Sequence, residues 1–152
     1  MKKKEDFLKN DFIPLLRQLK PGDKGLWGVM NAQQMIEHFT DAVKNASGKL
    51  LLPELVKGEK LTAMRDFVMS EKPFEENIDN PLMEKEGAAL RQPDIQSAIE
   101  KLQSELDFFF LAFKKDPDLK TKNPFFGELD YKMNIQFLHK HAQHHLRQFG
   151  LA

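Results

Sequence analysis

The strongest constraint on the fold is a long helical stripe of apolar residues that begins after Pro93. Asp94 is a suitable N-cap, and apolar side chains then recur every three or four residues until Lys114 and Lys115. This spacing places them on one face of an α-helix, and the two lysines suit the negative end of the helix dipole. The members of the stripe are Ile95, Ala98, Ile99, Leu102, Leu106, Phe109, Phe110 and Phe113. A helix of this kind buries one face against other elements, so the stripe predicts a helical domain.

Segments near both ends of the chain show the same periodicity. The first predicted helix runs from about Lys4 to Leu19, and Pro14 either kinks it or starts a new helix there. The last begins near Asp130 and ends at Gly150, a residue type common just after a helix. No pattern along the chain makes a convincing β-strand.

The second predicted helix opens at Asn31. Asparagine is a good N-cap, and Gln34 three residues on completes the pattern of a capping box. An apolar stripe follows and ends near Asn45–Gly48, with His38 at its edge. The spacing therefore predicts a helix that carries His38 beside the core.

A long connection separates this helix from the third one, which starts after Asp94. It runs from about Gly48 to Gln92, and we expect a short helix in it over Glu59–Met69. Because a structureless connection of this length would be unusual, we expect it to cross the molecule and partly cover one end. The length of 152 residues suits one domain with a real core. We predict an all-α fold with residues 1–152 in a single domain, a four-helix bundle with a long crossover between helices 2 and 3.

Four of the five histidines lie in the last predicted helix. His141 and His145 are one turn apart, the spacing with which a helix offers two imidazoles to one metal ion. His141 and His144 are three residues apart and could also converge, so the spacing leaves the pair open. Together with His38, three imidazoles without thiolates would form an open site for Zn(II), Ni(II), Co(II) or Fe(II). The competing interpretation is that these histidines are hydrogen-bonded or partly exposed and bind nothing.

Other side chains near these histidines are candidates for supporting roles. Asp41 would reach the site or the second nitrogen of a ligand, or it would simply lie on a solvated helix face. Gln34 and Gln148 lie within one turn of the predicted ligands and are candidate substrate or water contacts. Trp27 would line a pocket mouth or pack against the start of a helix. His139 falls on the opposite face of its helix, and we expect it to face solvent.

Composition excludes several classes of function. The chain has no cysteine, which excludes disulfides, thiolate nucleophiles and zinc–thiolate centres. Lys plus Arg and Asp plus Glu both number 23, so we expect neither a nucleic-acid partner nor a polybasic contact with a membrane. The near-zero net charge favours self-association. Since no signal peptide or membrane-spanning apolar run is visible, we expect a cytoplasmic protein.

Three segments resemble the DinB-like (YfiT-like) superfamily of metal-dependent proteins, within a small, uncharacterised bacterial branch. They are Leu26–His38, Asn123–Leu129 and His141–Gly150, in the order found in that superfamily. The last is the most specific, because the pattern H-x-x-H-H-x-x-Q recurs at the end of the fourth helix of its members.

The resemblance implies a four-helix bundle with a three-histidine site, often found with nickel or zinc. Its ligands would be His38, His141 and His145, and His144 would be an adjacent non-ligand. Members of the superfamily commonly dimerise, which implies a homodimer here. One departure concerns a loop motif that usually reads His-Pro-x-Phe-Gly, where this chain has Asn123, a far poorer metal ligand.

Characterised members of the superfamily include transferases and isomerases that use low-molecular-weight thiols. The leading hypothesis is therefore a metal-dependent enzyme that activates water or a thiol cosubstrate by lowering its pKa, as a hydrolase or a thiol transferase acting on a small molecule. The alternative is a non-enzymatic metal-binding or dimeric stress-response module. A third interpretation, kept open by Asn123, is a fold with a vestigial site.

Overall fold

The computed structural model describes residues 1–76 and 88–152, which form a mainly α-helical protein with one small antiparallel pair of strands. This confirms the predicted dominance of helices. In chain order the elements are α1 (Lys2–Asp6), a π-helical turn (Phe7–Asp11), α2 (Phe12–Leu16), α3 (Ala32–Ala46), α4 (Gly58–Met69), α5 (Ile95–Lys115), β1 (Thr121–Asn123), β2 (Gly127–Leu129) and α6 (Tyr131–Gln148).

Side-chain caps start the three longest helices where the sequence predicts them. Asn31 accepts a hydrogen bond from the backbone N–H of Gln34, whose side chain accepts one from the N–H of Asn31, so both halves of the capping box are present. Asp94 caps α5 and Asp130 caps α6, each by accepting one hydrogen bond from the backbone N–H three residues on. These caps satisfy donors that a helix start would otherwise leave unpaired.

The N-terminal helical segment is interrupted by the π-helical turn rather than kinked at a single residue. Pro14 has no N–H to donate, and its ring would crowd the carbonyl of Asn10 in a regular α-helix. A wider turn directly before α2 avoids this conflict. The helix ends at Leu16, and the N–H groups of Gln18 and Leu19 bond to carbonyls three residues back, so the predicted end at Leu19 falls in a tighter turn.

One apolar core joins the helices. The apolar face of α3 packs most extensively against α5, and α6 lies against both α3 and α4. Phe12, Phe39 and Phe109 are among the largest fully buried side chains. The predicted apolar stripes of α3, α5 and α6 all contribute to this core.

The strands correct the prediction that the chain has none. β1 and β2 pair antiparallel, with Thr121 opposite Leu129 and Asn123 opposite Gly127. Each strand has three residues, which is too short to display the alternation by which a strand is read from sequence. The all-α prediction therefore missed a hairpin that precedes α6.

The long connection contains the predicted short helix, since α4 covers Gly58–Met69. The guanidinium of Arg65 on α4 donates to the carbonyls of Phe126 and Glu128, which attaches this helix to the hairpin. The part of the predicted connection at 77–87 lies outside the described residues. In the described part of the chain, no helix combines the length and the apolar character needed to cross a membrane.

Candidate metal centre

The predicted ligands converge although His38 lies 103 residues before His141 in the chain. α3 contributes His38, and α6 contributes His141 and His145 one turn apart. The Nε2 atom of His141 lies 3.2 Å from Nε2 of His38 and 2.7 Å from Nε2 of His145. One ligand nitrogen from each ring lies within 4.8 Å of the others.

These separations fit three nitrogens that share one ion. Two imidazole nitrogens bonded to the same divalent metal lie about 3 to 3.4 Å apart, because each bond is about 2.1 Å long. The pair from His38 and His141 falls in this range, and the pair within α6 would open by a few tenths of an ångström. The three histidines could therefore hold a metal ion.

Burial keeps these imidazoles in the neutral form that binds metals. It lowers the pKa of His38 to about 4, against a smaller opposing effect of the Asp41 carboxylate. Burial also holds the pKa of His141 and of His145 well below the usual value, and the neighbouring histidines act in the same direction. At neutral pH all three rings are therefore uncharged, and an uncharged imidazole has a lone pair on one of its two nitrogens with which it can coordinate a metal.

Gln148 is the predicted supporting residue with the most direct contact to the site. Its side-chain oxygen accepts a hydrogen bond from Nδ1 of His145 at 2.8 Å. The two lie three positions apart on α6, so they share a face of the helix. An acceptor on the second ring nitrogen is the usual support of a metal-binding histidine.

His144 lies beside the three predicted ligands. Its ring contacts the rings of Trp27 and Phe74 edge-on, with centroids 5.6 and 5.8 Å apart. Trp27 thus packs against the residue that adjoins the predicted ligands. The Nδ1 atoms of His144 and His141 are buried and have no hydrogen-bond partner among the described residues.

Three aromatic rings, which we call the aromatic wall, pack against His141, and the sequence did not predict them as part of the site. The ring centroids of Phe39, Phe137 and Phe74 lie 5.0, 5.4 and 6.3 Å from that of His141. Phe39 could have been expected there, because it is an apolar residue of α3 directly after His38. Phe74 comes from the long connection, and no local pattern points to it.

The acidic residues beside His38 are held by Arg91. Asp41 accepts a hydrogen bond from Arg91 at 2.9 Å, and Glu37 accepts from both the side chain and the backbone N–H of the same residue. Asp41 therefore acts on His38 through its charge. The Gln34 amide is occupied by its cap and by the carbonyl of Ala88, so the structure gives it an anchoring role instead of the predicted substrate contact.

Asn123 closes the hairpin turn. Its side-chain oxygen accepts hydrogen bonds from the N–H groups of Phe125 and Phe126, at 2.9 and 3.1 Å. The residue is buried at the end of β1. The residue that departs from the superfamily motif therefore has a structural role in this chain.

The prediction that His139 faces solvent holds only in part. The ring is half-buried and packs edge-on against Phe7, with centroids 5.3 Å apart. The N-terminal helical segment covers this face of α6, a long-range contact that helical phasing alone does not reveal. His139 nevertheless lies apart from the three converging histidines, as its phase predicts.

Comparison with known proteins found no matching family model, no matching curated protein and no matching solved structure.

Proposed function

We propose that the protein is a divalent-metal-dependent enzyme of the DinB-like superfamily. The main support for this proposal is that the Nε2 atoms of His38 on α3 and of His141 and His145 on α6 lie close together. Three neutral imidazoles suit nickel, zinc, iron and cobalt alike, and the resemblance to the superfamily favours nickel or zinc. The sequence motifs around these histidines support the same superfamily.

The proposed fold is a four-helix bundle made by the N-terminal helical segment, α3, α5 and α6, with α4 in the crossover. The packing of α3 against α5 and α6 supports this arrangement. Metal sites in such bundles lie between facing helices, which is where His38 meets the α6 pair.

Three imidazole ligands would leave coordination positions open for a substrate. An ion held there would lower the pKa of a bound water or thiol toward neutrality. Because the chain has no cysteine, the thiol has to come from a low-molecular-weight cosubstrate. The rings of Phe39, Phe74 and Phe137 exclude water from one side of the site, which strengthens electrostatic interactions there. Hydrolysis and thiol transfer are the reaction classes that we propose.

The alternative is a non-enzymatic metal-binding or dimeric stress-response module. The observation that favours it is the pairing of Glu37 and Asp41 with Arg91, because these two carboxylates near His38 are then not available as a general base. We propose a homodimer for either function, because members of the DinB-like superfamily commonly dimerise and because the near-zero net charge favours self-association.

A substrate screen separates the two functions. Metal-loaded wild-type protein and His141→Ala are assayed on panels of hydrolysis and thiol-transfer substrates, the latter with low-molecular-weight thiols. If the protein is an enzyme, the reaction rate of the wild type should exceed that of His141→Ala by at least about tenfold on one substrate class, because the variant lacks a metal ligand. His139→Ala is the matched control from the same helix, and it should keep the wild-type rate. Equal rates in all three proteins would favour the non-enzymatic module.

A further inference from the structure

A short loop before α3 closes onto the C-terminal end of α6. The backbone N–H of Leu26 donates to the carbonyl of Gln148 at 2.6 Å. The side-chain nitrogen of Gln148 donates in turn to the carbonyl of Trp27 at 3.0 Å. Gln148 is buried, with 4% of its surface exposed, so both ends of its amide have fixed partners.

Two glycines allow this approach. A Cβ atom on Gly25 would lie 2.9 Å from Cγ of Gln148, and one on Gly28 would lie 2.8 Å from its side-chain nitrogen. Gly28 also has a φ of +80°, a conformation that other residues rarely adopt. The loop therefore reaches Gln148 only because these two positions lack side chains.

The loop determines which way the Gln148 amide points. A backbone carbonyl such as that of Trp27 only accepts hydrogen bonds, so the NH₂ group of Gln148 must face it. The oxygen of the same amide then faces Nδ1 of His145. Because that oxygen only accepts, Nδ1 of His145 must carry the proton, and its Nε2 keeps a lone pair.

The contact between the two α6 histidines agrees with this assignment. Nε2 of His145 lies 2.7 Å from Nε2 of His141, a distance at which one nitrogen donates and the other accepts. An Nε2 of His145 without a proton is the acceptor. It points toward the place where His38 also directs its Nε2.

We propose that the Trp27 carbonyl and the Gln148 side chain form a positioning relay that holds His145 in the Nδ1-protonated tautomer and leaves its Nε2 free to bind a metal ion. The metal-binding role rests on the proposed function, whereas the tautomer is a property of the protein alone. Gln148 and the Gly25–Gly28 loop are therefore positioning residues rather than ligands.

The test measures the tautomer directly. Long-range ¹⁵N–¹H spectra of the metal-free full-length chain report which ring nitrogen of each histidine carries the proton. The wild type should show His145 protonated on Nδ1. Gln148→Leu should shift the population toward Nε2 protonation, and it should weaken the binding of Ni(II) and Zn(II) by about ten- to a hundredfold. Gln143→Leu, from the same helix, is the matched control and should change neither quantity.

Gly28→Ala provides a second variant that leaves Gln148 in place. Its Cβ would displace the amide, so the tautomer should shift in the same direction as in Gln148→Leu. A wild-type His145 protonated on Nε2 would overturn the relay, even if Gln148→Leu fails to fold. An unchanged tautomer in folded Gln148→Leu would overturn it as well. Nδ1 protonation in a wild type that binds neither metal would support the relay and contradict the proposed function.

Discussion

The two converging histidines of α6 differ in the hydrogen bonding of their Nδ1 atoms. Nδ1 of His145 has the side-chain oxygen of Gln148 as its acceptor, whereas Nδ1 of His141 has no partner among the described residues. A buried polar atom without a partner costs about 1–3 kcal/mol. Of the two α6 histidines, His145 is therefore the one whose ring orientation a hydrogen bond fixes, and its loss should have a clear effect on the proposed metal binding.

Replacing single histidines on α6 tests the assignment of ligands. His145→Ala should weaken Ni(II) or Zn(II) binding by at least about a hundredfold, since loss of a ligand should cost at least as much as loss of its supporting hydrogen bond. His139→Ala should retain wild-type affinity, because His139 packs against Phe7 instead. Isothermal titration calorimetry measures both affinities, and circular dichroism checks the helical content. Tighter binding by His145→Ala than by His139→Ala would contradict the assignment.

Glu105 is a buried carboxylate that stabilises the packing of α5. Only 2% of its surface is exposed, and its two oxygens accept hydrogen bonds from Lys49 and Lys101, each at 2.9 Å. Burial alone would raise the pKa of Glu105, but these lysines outweigh it and hold the pKa below its usual value of 4.5. The ionised form is therefore the one that the folded state favours.

Glu105→Gln should lower the free energy of unfolding at pH 7 by about 1.5–3 kcal/mol, the value of a hydrogen bond to a charged group. The pKa of Glu105 is lower in the folded protein than in the unfolded chain. Its contribution is thus present above about pH 4.5 and is lost as the pH falls through the lowered value. Urea unfolding at pH 7 and pH 3.5 measures the difference, with the exposed Glu100→Gln as the control. A difference between wild type and Glu105→Gln that grows as the pH falls would contradict this account.

At the scale of elements, the helices were predictable because their signals are local. Asn31, Asp94 and Asp130 cap α3, α5 and α6 within three residues, and each apolar stripe lies within one segment. The hairpin was missed because each strand has only three residues and because Asn123, at its turn, was considered as a lost ligand. Local signals therefore located the helices but did not reveal this part of the tertiary structure.

The candidate site was predictable in part. The spacing of His141 and His145 follows from helical geometry, but the approach of His38 joins positions 103 residues apart in the chain. The choice between His144 and His145 depends on where each Nε2 points, which the spacing leaves open. The aromatic wall also needed the structure, because Phe74 reaches the site from the long connection.

The hairpin provides a test of the role of Asn123. Asn123→Ala removes the acceptor of two backbone N–H groups in the turn and should lower the free energy of unfolding by about 1–3 kcal/mol. Asn123→His should lose less stability than Asn123→Ala, because Nδ1 of a neutral imidazole can accept one of these two hydrogen bonds. Lys122→Ala, at an exposed position of the same strand, is the control for urea unfolding. If Asn123→Ala were as stable as Lys122→Ala, the turn would not depend on this side chain.

At the scale of the whole molecule, the three histidines connect the two helices that meet in the core. A metal ion bound to them would link α3 to α6, and an ion that binds only the folded state stabilises it. At a free concentration of a hundred times the dissociation constant this amounts to about 2.7 kcal/mol. The melting temperature should then rise by several degrees in a protein of this size.

Thermal unfolding with and without Ni(II) or Zn(II) measures this linkage. The wild type should melt at a higher temperature when metal is present. His38→Ala should respond much less, because it removes the only ligand from α3. An equal response of wild type and variant would mean that the metal binds elsewhere on the protein.

His38, His141 and His145 are proposed to form one metal-binding site. The most direct test is elemental analysis of the wild-type chain purified without a histidine tag, before and after addition of Ni(II) or Zn(II) and removal of excess metal. The proposed site predicts about one ion per chain, and less than about a tenth of an ion in a variant with all three histidines replaced by alanine. A wild type that retains less than about a tenth of an equivalent of either added metal would contradict it.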